Sequence, residues 1–178
     1  MKYFVILFLI LSQGFSAFSE KERITWSESS KLSWSDFKGK PVIGSGYVAS
    51  TNSGVSFSYS YGFKHDEVVL EYEVKSNFYP KLSWYIPSEV TSNTLKHEQT
   101  HFDISEVHAR LLRKKISETS FSKNIEMEIE TLYNKVENTR RDMQHKFDKE
   151  TDHSNIRSME IEWEKFIAKR LKDLNPWK

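Results

Sequence analysis

Val55-Ser56-Phe57-Ser58-Tyr59-Ser60-Tyr61-Gly62-Phe63 alternates large apolar side chains with serine and glycine, one for one. Successive side chains of a strand point to opposite faces, so this period of two predicts a sheet with one buried face. Val68, Leu70, Tyr72 and Val74 repeat the pattern, alternating with Val69, Glu71, Glu73 and Lys75. The short polar link Lys64-His65-Asp66-Glu67 joins the two runs as an antiparallel hairpin. A weaker strand is expected at residues 47–51, flanked by Gly44, Gly46 and Asn52-Ser53-Gly54. Pro80 and Pro87 then lead the chain out of the sheet.

Beyond Pro87 the apolar period becomes that of helices. Leu95, Phe102, Ile104, Val107, Leu111, Leu112 and Ile116 predict a long helix starting between Ser88 and Ser92. Ile125, Ile129, Leu132, Tyr133, Val136, Met143 and Phe147 mark a second helix. Ile156, Met159, Trp163, Phe166, Ile167, Leu171 and Leu174 mark a third, closed by Asn175-Pro176. The charged outer faces of the last two read as solvated surface over one apolar stripe. The expectation is an α+β fold: an antiparallel sheet, then one long helix, then two covering helices.

With 178 residues the chain suits one domain. Five Trp, eight Tyr and twelve Phe are too many for a disordered polymer. Balanced charge, 26 basic against 25 acidic residues, gives no electrostatic reason to expect nucleic acid. The absence of cysteine excludes a disulfide scaffold, thiol catalysis and thiolate-bound metal, so a metal site must use His, Asp or Glu.

The N-terminus follows the grammar of a secretory signal: basic Met1-Lys2, an apolar run over residues 4–11, then Ala17-Phe18-Ser19 ahead of a cut before Glu20. The apolar run is shorter than the ~20 residues of a spanning helix. A signal over residues 1–19 and one domain over 20–178 are therefore expected, exported to the periplasm, the outer surface or the medium. No later segment is apolar enough to cross a bilayer.

Within the first predicted helix stands His97-Glu98-Gln99-Thr100-His101. Residues four apart lie one turn above each other, so both imidazoles can reach one ion. Glu98 leaves the same turn at another angle, placed to take a proton from a water that zinc acidifies. Such a site also needs a third ligand. His108 shares the azimuth of His97 but sits about 10 Å beyond His101 along the axis, too far for one ion. A helix broken by glycine three residues after the second His would change this, but Ile104 stands there. Glu106 points about 140° away from His101. Both read as packing or supporting groups, so the third ligand is expected from the junction Asp148-Lys149-Glu150-Thr151-Asp152-His153. His153 is the first choice, Asp152 the second, and His145 stands behind them. His65, in the hairpin turn, reads as exposed.

Three stretches now carry a resemblance: Leu32-Ser33-Trp34-Ser35-Asp36-Phe37-Lys38-Gly39-Lys40-Pro41; His97 through Asp103 with Glu106, Ala109 and Arg110; and Phe147 through His153 with the later Trp163. With these the chain resembles a bacterial family of predicted secreted zinc-dependent proteases, over nearly the whole of residues 20–178. The resemblance implies a zincin-like domain with His97 and His101 as zinc ligands, Glu98 as catalytic acid and base, and His153 as the third ligand. One departure is Ser154, where the resemblance leads one to expect glycine.

The function expected from these readings is hydrolysis of a peptide bond in a peptide or protein substrate, with a sheet edge holding the extended chain. A donor for the oxyanion is also needed, and Tyr85 and Arg110 are candidates without a motif to select one. Two rivals share the metal: an exported, zinc-stabilised binding module using the aromatic hairpin, and a hydrolase of non-peptide amides. Glu98 beside the two histidines favours an enzyme, since a structural site has no use for a general base.

Overall fold

The computed structural model describes residues 22–178 apart from positions 30 and 66. The expected signal at residues 1–19 lies outside the described residues. The alternating runs form strands β3 (Ser53–Lys64) and β4 (Glu67–Phe78), twelve residues each. They pair antiparallel with Phe57 opposite Val74, Tyr59 opposite Tyr72 and Tyr61 opposite Leu70. His65 begins the tight turn between them at φ 50°, in the left-handed region. Strand β1 (Ile24–Thr25) adds to β4, giving the order β1-β4-β3. The weaker strand at 47–51 shortens to β2 (Ala49–Ser50) and pairs away from the hairpin, with β5 (Trp84–Tyr85).

The architecture is α+β, an antiparallel sheet followed by three helices, as the periodicity predicts. Helix α1 (Ser92–Ser117) starts at the late edge of the expected window because Thr91 caps it. The Thr91 hydroxyl accepts from the Asn93 and Thr94 amides, both at 3.2 Å. Helix α2 (Ile125–Thr151) runs four residues past Phe147, and α3 (Arg157–Asp173) follows after a short turn. Among the described residues no helix is long and apolar enough to cross a membrane.

Helix α1 is the axis of the molecule. Val55 and Val74 from the sheet pack with Ala109, Leu112 and Ile116 of α1 and Val136 of α2. Ile104 and Val107 instead meet Phe147, Trp163, Ile167 and Leu174. Covered on both sides, α1 is buried nearly all round, which accounts for its internal ion pairs: Glu106 accepts from Arg110 at 2.9 Å. The aromatic face of the hairpin is buried only at its base. Its outer half extends past α1, leaving Tyr61 38% and Phe63 52% exposed. There α2 gives partial cover, with Phe57 stacked on Tyr133 and the Tyr61 hydroxyl donating to Glu126 at 2.9 Å.

The N-terminal segment braces the beginning of α1. Leu32, Phe37, Phe78 and Phe102 form a third cluster, and Trp34 stacks on Tyr85 with ring centroids 4.6 Å apart. The Leu32 amide donates to Gln99 Oε1 at 2.8 Å, and the Trp26 indole donates to Asp103 at 2.7 Å. Gly39 donates to the Ser83 carbonyl, and a Cβ there would lie 2.8 Å from that same oxygen, so the close approach requires glycine.

Candidate metal centre

Helices α1 and α2 run antiparallel, with Ser105 beside Arg140 and the His101 turn beside Gln144. One turn further along α2, Asp148 comes level with His97. Asp148 Oδ1 lies 2.9 Å from His101 Nε2 and 3.2 Å from His97 Nε2. The two Nε2 atoms are 3.1 Å apart. Among the described residues, these three form the one group of metal-ligating side chains close enough to share an ion.

Each imidazole is oriented from behind. His97 Nδ1–H donates to Glu160 Oε1 of α3 at 2.8 Å. His101 Nδ1–H donates to Gln144 Oε1, whose amide nitrogen returns a bond to the His101 carbonyl at 2.9 Å. With both Nδ1 protons engaged, the Nε2 lone pairs converge with a carboxylate oxygen, an arrangement that calls for a proton or a metal cation between them. Phe147 stacks on His97 at 4.4 Å and meets His101 edge-on at 5.0 Å, which leaves the rings little freedom to turn.

Electrostatics reflect this convergence. Burial works against a charged His97, but the hydrogen bonds to Asp148 and Glu160, with the charge of Glu98 nearby, outweigh it and raise its pKa to about 9. Burial likewise opposes ionisation of Asp148, yet its bonds to His101 and His97 hold its carboxyl well below the usual carboxylate range. Glu98 is 4% exposed, and its Oε2 has no hydrogen-bond partner among the described residues.

A divalent ion fits these residues. Tetrahedral zinc with bonds of 2.0–2.1 Å separates its ligand atoms by about 3.3 Å. The separations here, 2.9, 3.1 and 3.2 Å, are close to that edge and describe one face of such a tetrahedron. Glu98 lines the same cleft and adds a carboxylate to its wall.

The group opens onto a cleft of about 780 Å³, walled by residues 46–51 on one side and the C-terminal end of α2 on the other. His153, expected as the third ligand, lines this cleft one step out from the three-residue group. Its Nδ1 is 3.8 Å from Asp148 Oδ1, its side chain is 45% exposed, and Tyr47 meets its ring edge-on at 4.8 Å. The reason is local. Asp152, His153 and Ser154 have φ of 47°, 51° and 75°, three successive left-handed residues that end α2 and aim His153 at the mouth of the cleft. Ser154 thus occupies a conformation that suits glycine better. Asp152 is exposed and bonded to Asn155, and His145 is exposed on the cleft wall.

The other sequence candidates lie elsewhere. His108 is buried and its Nδ1–H donates to the Ile104 carbonyl at 2.8 Å, while burial lowers its pKa. Glu106 is held by Arg110 and Arg113. Arg110 is itself engaged by Glu106 and the Leu171 carbonyl, Tyr85 stacks on Trp34, and neither lines the cleft. His65 stands exposed at the hairpin turn. Gln144 and Glu160 were not singled out by sequence, and Asp148 was named only as the first residue of the junction expected to supply the third ligand. The available signal was that Gln144 and Asp148 are four apart, on one face of α2.

Fold and site together define an α+β domain with a His–His–Asp cluster of metal-ligand type at the first turns of its central helix. Residues 38–154 match the family model described as "Bacterial protein of unknown function (DUF922)", and the chain belongs to that family. No curated protein and no solved structure matches the chain.

Proposed function

We propose that this protein is an exported zinc-dependent hydrolase, a metallopeptidase whose ion is held by His97, His101 and Asp148. The observation that carries the reading is the spacing of those three donor atoms, each 2.9–3.2 Å from the next, with Glu98 lining the same cleft. Nitrogen and carboxylate donors in a chain without cysteine suit zinc. Zinc, when bound, supplies Lewis acidity, acidifying water and polarising a carbonyl.

The remaining work falls to the chain. The carboxylate of Glu98, which lines the cleft, accepts the proton of the attacking water and passes it to the leaving amine. The bonds from Glu160 and Gln144 hold the two imidazoles still while this happens. An extended substrate occupies the cleft, with residues 46–51 along one side. Export rests on the signal-like residues 1–19.

Incubation with an unfolded protein or a broad peptide library tests the proposal. Cleavage abolished by a strong chelator and restored by zinc is the expected result. A zinc-loaded protein that cleaves nothing in such a library would contradict the peptidase reading and favour a binding module or a non-peptide amide substrate.

Zinc affinity should also depend on pH in a defined direction. The ion requires a neutral His97, and in the metal-free protein that ring holds its proton up to about pH 9. The neutral fraction therefore falls about tenfold per pH unit below that point, and acid must weaken binding. Competition against a chromophoric chelator at pH 6, 7, 8 and 9 is expected to show affinity rising by about a factor of ten per unit, then levelling off. A flat profile would show that zinc displaces no proton from His97 over this range.

A further inference from the structure

Glu160 lies in α3, beyond the segment 38–154 matched by the family model. It is 0% exposed, and its Oε2 has no hydrogen-bond partner among the described residues. A buried carboxylate is costly unless its charge is answered, and a structural one normally has both oxygens satisfied. The other oxygen of Glu160 meets His97 Nδ1 at 2.8 Å, on the side of the ring opposite the donor cluster. The same helix reaches His97 by a second route. Trp163, three residues on, packs on Phe147 at 5.4 Å, and Phe147 stacks on the His97 ring.

We infer that α3 is a working part of the metal centre, with Glu160 as a positioning residue that fixes His97 in its Nδ1–H tautomer and turns Nε2 toward the ion. This rests on the zinc reading above. An ion at Nε2 draws electron density from the ring, strengthens the Nδ1–H donor and answers the buried charge of Glu160. The carboxylate in turn makes Nε2 a better ligand. The site therefore extends past the family segment, to Glu160 behind His97.

Zinc titration of the full chain against a competing chelator tests this, with circular dichroism as a check on folding. Glu160→Gln keeps the side-chain volume but removes the charge, and should weaken zinc binding by about 10- to 100-fold while helicity persists. Ile167→Ala is the control. It opens a cavity in α3 and lowers the melting temperature, but should leave zinc affinity of the folded protein within about threefold. Nitrogen-15 NMR of the zinc-loaded wild type gives an independent reading that needs no variant: His97 should carry its proton on Nδ1, with Nε2 facing the metal. Wild-type zinc affinity retained in Glu160→Gln, equal losses in Glu160→Gln and Ile167→Ala, or the opposite tautomer would each overturn the inference while leaving the zinc site standing. A wild type that binds no zinc would overturn the zinc reading itself.

Discussion

Glu98→Gln is expected to lower turnover by at least about 10²-fold while zinc stays bound. The substitution keeps the shape of the side chain but leaves an amide, which cannot accept the proton of the attacking water. Positioned acid–base groups contribute about 10²- to 10⁴-fold, and a single group relaying both proton transfers belongs in that range. Metal content should be unaffected, because the ligand atoms proposed for the ion come from His97, His101 and Asp148. Stability should change little, since among the described residues no hydrogen bond to Glu98 Oε2 is there to be broken. Steady-state cleavage and metal analysis on the same preparation check both halves. Cleavage at the wild-type rate would mean that the activity belongs to another site or to a contaminant.

Asp148→Ala should reduce zinc affinity by more than about a hundredfold, exceeding the effect expected of groups that merely support a ligand. His153→Ala should change it by less than about tenfold. The contrast follows from geometry. Asp148 Oδ1 is within 3.2 Å of both Nε2 atoms, whereas His153 meets the cluster only through a 3.8 Å approach to Asp148 and is nearly half exposed. Competition titrations of the two variants, each first shown to fold, decide between them. Retention of zinc by Asp148→Ala with its loss from His153→Ala would restore the histidine as the third ligand and require the left-handed turn at 152–154 to rearrange around the ion.

The parts of this molecule readable from its sequence are those set by local period. The hairpin follows from the serine–aromatic alternation, and the three helices from their apolar stripes. The pairing of His97 with His101 follows from one turn of helix. Elements specified by long-range contact were less accessible. Strands β1 and β5 have two residues each, too few to show a period, and β2 pairs with β5 across more than thirty positions. Alternation also overstated burial of the hairpin, because period reports which face is apolar and not how far α1 extends beneath it.

The approach of Asp148 was hidden for a related reason. A distant ligand seemed to need a loop to swing it back, which drew attention to His153 and Asp152. The structure keeps α2 helical through Thr151 and lays it antiparallel to α1, so a helical residue reaches the histidines directly. Glu160 was harder still to see. On sequence it is one of several glutamates among the apolar positions of α3, and only tertiary packing distinguishes it from its exposed neighbours Glu162 and Ile161.

Anomalous scattering at the zinc edge, measured on crystals of the zinc-loaded protein, tests the metal centre most directly. One peak is predicted, bonded at about 2.0–2.2 Å to His97 Nε2, His101 Nε2 and an oxygen of Asp148, with Glu98 beside it and unligated. A map with no peak between these residues, or with His153 bonded to the ion and Asp148 turned away, would contradict the account.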